Sequence, residues 1–144
     1  MQSNSFSFSL KIWVTSVIIG PILFGLVQWL KGNHLWISEG APVLEQLYSY
    51  FLFVIFGGFF SIITWILFFL ILKIITLYLY QVDIIKIIIA VLGMLLTFGT
   101  FAVFVPTQVN PNSEFFYLML SYAASIGVGP WFYKLEIMYV SDTS

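Results

Sequence analysis

The chain has no cysteine and no arginine, a single histidine, and few charged residues of either sign. Without cysteine there is no disulfide, no thiol nucleophile and no thiolate ligand for a metal or cluster. Without arginine there is no planar guanidinium to grip phosphate or carboxylate in two places at once. A net charge of -1 offers no basic surface for nucleic acid. The one histidine, His34, shares a polar segment with Glu39 and Glu45, but their spacing fits no zinc motif, so no metal and no cofactor is expected.

Charged residues make up only 8% of the 144 positions, whereas 61% are hydrophobic and 20% aromatic. An ordinary soluble domain is about a quarter charged. A water-soluble fold this small could not cover that much apolar surface with five lysines and six acidic residues. Lipid is the solvent that removes the difficulty, and the chain reads as a single membrane domain over 1–144.

Four apolar runs stand out, Ile12–Leu30, Leu47–Leu72, Ile87–Val105 and Phe115–Tyr133. At a rise of about 1.5 Å per residue the shortest reaches about 28 Å, close to the roughly 30 Å hydrocarbon core. Stretches such as Ile84-Ile85-Lys86-Ile87-Ile88-Ile89 do not alternate as barrel strands do. In lipid every backbone polar group must be satisfied within the segment, so helix prevails over the modest intrinsic propensity of Ile and Phe. The predicted fold is an all-α integral membrane protein, a four-transmembrane-helix bundle. The first run is too long for the roughly 7–15-residue core of a signal peptide and ends in Gln28-Trp29-Leu30 without a small-residue cleavage site, so it reads as a retained span.

The connections differ. Lys31–Gln46 is the largest polar segment, and Pro106–Glu114 is a short turn that makes the third and fourth helices antiparallel neighbours. Between the second and third runs, Lys73, Thr76, Tyr80 and Asp83 recur at helical spacing, which fits an interfacial helix over 73–86 or an extension of the second span. Lys11, Lys73, Lys86 and Lys134 fall on one side of the four crossings and Lys31 on the other. The positive-inside rule then puts both termini in the cytoplasm. Abundant Ile, Phe and Lys with no Arg is the composition of an AT-rich bacterial genome, so the expected location is a bacterial inner (plasma) membrane.

Helices in lipid associate through close approach of small residues and interhelical hydrogen bonds. Candidate helix-packing seams are Ser16 and Gly20 in the first span; Gly57, Ser61 and Thr64 in the second; Ala90, Gly93, Thr97 and Thr100 in the third; and Ser121, Ser125 and Gly129 in the fourth. Gly20-Pro21 and Gly129-Pro130 are candidate bends. Trp13, Trp29, Trp131 and Tyr133 read as anchors at the membrane interface, whereas Trp65 lies mid-span and is expected to turn its indole N–H towards the bundle's hydroxyls.

Every ionisable residue falls at or outside a span boundary, against the pattern of a proton relay. Ser121 and Ser125 have no base at matching depth, so no hydrolase centre forms and no enzyme is expected. The reading that remains is interaction with another membrane protein or with copies of itself: an accessory subunit, or an immunity protein against a membrane-acting toxin. Its surface is placed on the outer segment around His34, Trp36 and Glu39, with the phenylalanine-rich second span, Phe51, Phe53, Phe56, Phe59, Phe60, Phe68 and Phe69, as the next candidate. The alternative is a small channel or carrier subunit, functional as an oligomer, with Thr97, Thr100, Ser121 and Ser125 along a shared polar path.

Overall fold

The structure is a computed structural model that describes residues 2–32, 43–79, 81–104 and 113–138. Four helices carry it: α1 (Ser5–Leu30), α2 (Val43–Tyr78), α3 (Val82–Phe104) and α4 (Glu114–Phe132). Each is long and apolar enough to cross a membrane. Two residues before α1 and two after α4 pair antiparallel, Gln2 with Met138 and Ser3 with Ile137.

The helices are longer than the apolar runs because helical geometry carries into their polar flanks. In α1 the added turns hold Ser5 and Ser9, both buried, and the Ser9 hydroxyl donates to the Phe6 carbonyl at 3.0 Å. Helix α2, at 36 residues, spans about 54 Å, well beyond the bilayer core. Of the two forms open for 73–86, the segment takes the extension: α2 runs through Lys73 to Tyr78 and α3 begins at Val82, so no separate interfacial helix intervenes. Ser113 starts α4, its hydroxyl accepting from the Phe116 N–H at 3.2 Å. Pro21 and Pro130 lie inside continuous helices and are both fully buried.

Helix α1 packs against α2 and α4, and α3 packs against the same two, so the helices form a ring in chain order that α1 and α4 close. Helix α4 is the most buried and α2 the least. One end of the bundle is sealed by Phe8 and Ile12 of α1, Phe68 and Leu72 of α2, Ile85 and Ile89 of α3, and Leu135 beyond α4. This cluster brings both ends of the described chain and the α2–α3 turn to one end of the bundle. There Asn4 clamps the strand that follows α4: its backbone N–H donates to the Glu136 carbonyl at 3.3 Å, its Oδ1 accepts from the Glu136 N–H at 2.9 Å, and its Nδ2 donates to the Lys134 carbonyl at 3.2 Å. Phe68, expected on the outer aromatic surface of α2, is instead 7% exposed, because its ring fills the space over Gly93.

Candidate functional site

The small residues set how closely the helices approach. Around Tyr122 on α4 they form a lock: a Cβ added at Gly20 would meet the ring at 2.6 Å, and one added at Gly57 would meet the phenolic oxygen. Tyr122 therefore reaches from α4 across to α1 and α2 through two glycines. At Gly93 an added Cβ would strike Ile126 of α4, and at Gly129 it would sit 3.0 Å from Ile12 of α1. Ser16, Gly20, Gly93, Thr97, Ser121, Ser125 and Gly129 are buried, while Gly57 and Ser61 are half-buried. Among the described residues no three or more His, Cys, Asp or Glu side chains gather as a metal group. His34, Trp36 and Glu39 lie outside the described residues.

Helix α4 is buried on more than the one seam that its sequence suggests. Ala123 is 3% exposed beside Ser125 at 9%, since α4 meets α1 on one side and α3 on the other. Gly127, which the small-residue series missed, faces Met94 of α3, whose sulfur would lie 3.0 Å from an added Cβ.

The tryptophans exchange their expected roles. Trp13 turns inward and donates its indole N–H to the Ser61 hydroxyl at 2.9 Å, joining α1 to α2. Trp65 stacks among Phe6, Trp13 and Phe69, and its buried N–H has no hydrogen-bond partner among the described residues. Thr64 and Thr100 bond at 2.7 Å between α2 and α3, and Thr15 bonds the Tyr133 hydroxyl beyond α4.

Between the four helices lies a cavity of about 350 Å³. Its inner wall includes Ile12, Ser16, Gly93, Leu96, Thr97 and Ile126, and its rim carries the exposed rings of Phe56, Phe60, Phe104 and Phe115. The wall is almost wholly carbon, because the hydroxyls turn back onto their own helices. Ser16 donates to the Trp13 carbonyl, Ser61 to Gly58, Thr97 to Gly93 and Thr100 to Leu96. Ser121 and Ser125 do the same towards Tyr117 and Ser121 and lie outside the cavity. Of the four hydroxyls of the suggested polar path, Thr97 and Thr100 line the cavity and Ser121 and Ser125 do not, and the sealed cluster with Leu72 and Ile85 at 0% exposure closes one end.

These features define a small multi-span helical membrane protein. No protein-family model, curated protein or solved structure matches the chain.

Proposed function

We propose that the protein works without catalysis, through contact with another membrane protein in the bilayer, as an accessory subunit or as an immunity protein that blocks a membrane-acting toxin. The observation that carries this reading is the imbalance of α2. The other three helices bury more of their surface, whereas α2 presents Phe51 at 57%, Phe56 at 57% and Phe59 at 70% exposure along a helix longer than the bilayer requires. Aromatic side chains, phenylalanine among them, are enriched at protein–protein interfaces. The reading places the protein in a bacterial inner membrane with both termini cytoplasmic. Lys11, Lys73, Lys86 and Lys134, towards the end of the bundle where the chain ends meet, support that orientation.

The test is a photoreactive amino acid introduced at Phe59 in the native host. One discrete adduct, lost when Phe51 and Phe56 are changed to alanine while expression holds, supports the reading. Specific flux from the pure protein in proteoliposomes, lost on Thr97→Val or Ser125→Ala, would replace it with the channel or carrier subunit.

A further inference from the structure

We infer that the cavity between the four helices binds a hydrocarbon chain of a bilayer lipid, which enters past the rim of Phe56, Phe60, Phe104 and Phe115. The wall chemistry selects this occupant. Each serine and threonine hydroxyl on the wall is already bonded, to its own helix or to a neighbouring helix. Tyr122 is only 8% exposed and its hydroxyl is enclosed, as is the Trp65 N–H, so neither gives the cavity a polar surface. Water needs two to four polar partners to stay in such a site, and the wall exposes almost no polar surface to supply them. A headgroup, an ion or a sugar is excluded on the same ground.

Depth and access agree with that choice. Ser61 and Thr64 lie midway along α2 and Gly93 midway along α3, so the inner part of the cavity sits at the level of acyl chains. Phe104 at the end of α3 and Phe115 at the start of α4 carry its rim to the helix ends opposite the sealed cluster. Its open side is rimmed by aromatic carbon that itself faces lipid. The volume of 350 Å³ falls within the roughly 300–1,000 Å³ of ordinary small-molecule sites. Helices in lipid cohere by van der Waals contact, so a chain laid against all four would supply contacts that the side chains leave unmade.

The unaltered protein tests the idea directly. It is reconstituted in phosphatidylcholine vesicles in which a fraction of the lipid carries a photoreactive diazirine midway along one acyl chain, then irradiated and mapped by peptide mass spectrometry. Label on the wall residues Gly93, Leu96 and Thr97 is expected beside label on the outward residues Ile87, Val91 and Leu95 of the same helix. Label confined to the outward set overturns the proposal, and so does a cavity shielded by a second copy, which would give that same pattern together with a cross-linked dimer.

Variants that fill the space provide a second reading. Leu96→Phe or Val17→Phe should abolish wall labelling, leave outward labelling unchanged and keep the melting temperature at or above that of the parent. Wall labelling that persists undiminished in a folded, filled variant would also overturn the assignment.

Discussion

Changing Tyr122 to phenylalanine should rescue Gly57→Ala and leave Gly20→Ala as damaging as before. The reasoning rests on which atoms each new methyl would meet. At Gly20 the nearest atoms are ring carbons, Cδ1 at 2.6 Å, Cε1 at 2.7 Å and Cγ at 3.0 Å, all of which phenylalanine keeps. At Gly57 the nearest atom is the phenolic oxygen, which phenylalanine lacks, and the next is Cζ at 3.2 Å. Overpacking of a tight interface costs about 1–3 kcal/mol. Alanine in place of a helical glycine returns at most about 1 kcal/mol, so each single change should remain a net loss. Gly99 is the control: nothing lies within 4 Å of an added Cβ there, and Gly99→Ala should be neutral or stabilising by up to about 1 kcal/mol. Tyr122→Phe alone removes a buried hydroxyl that has no partner among the described residues and should cost little or stabilise. The assay is a double-mutant cycle on the purified protein in mild detergent, with unfolding followed by loss of helicity. A coupling of about 1 kcal/mol or more between Tyr122→Phe and Gly57→Ala is expected, and none with Gly20→Ala. Equal rescue of both glycine variants, or of neither, would refute the lock.

Three further outcomes follow from the same structure. Ala123→Leu and Ser125→Leu should each lower the melting temperature, by about 1–3 kcal/mol of stability, whereas Ala124→Leu, on an exposed position of α4, should be tolerated; damage from the Ala124 change would show that α4 is turned about its axis. Trp13→Phe should cost about 0.6 kcal/mol, and at most about 1.7, through loss of its bond to Ser61, while Trp65→Phe should cost less because its N–H bonds to nothing described; the opposite order in thermal unfolding would reverse the assignment. Cysteine placed at Asn33 or Asn112 should react with an impermeant thiol reagent on intact cells, and cysteine at Ser3 or Asp142 should be protected; the reverse labelling would invert the orientation.

The spans are legible in the sequence because lipid leaves so little freedom: a run of some twenty apolar residues has only a helix to form. Hydropathy does not register where such a helix stops, so it misses the turns holding Ser5 and Ser9, while the helical spacing of Lys73 and Thr76 offers the extension of α2 to Tyr78 without choosing it over an interfacial helix. Small-residue spacing identifies Gly20, Gly93 and Gly129 as close approaches, but a single seam cannot describe a helix with two packed faces, and Ala123 and Gly127 go unread on α4. Which indole reaches Ser61 depends on rotation about α1 and α2, to which periodicity is blind; depth along the span points to Trp65, and Trp13 makes the bond. The cavity is the least legible feature, because its volume is a property of how far α2 stands from α4, and no single stretch of sequence encodes that distance.

The closure of the ring by α1 and α4 bears on biosynthesis. The interface joins α1 to α4, so α2 and α3 must be made before it can form. Until then Gly20 on α1 and Gly93 on α3 face lipid or solvent instead of Tyr122 and Ile126 of α4, and Asn4 has no strand to clamp. A ribosome stalled before Glu114 would therefore leave a product lacking α4, the most buried of the four helices. Its Asn4 backbone N–H and side-chain amide would be without their partners at Lys134 and Glu136, and its seams would lie open to other chains. Such a product is what membrane quality control can recognise, and clearance of truncated chains becomes a direct reading of whether the last helix has docked.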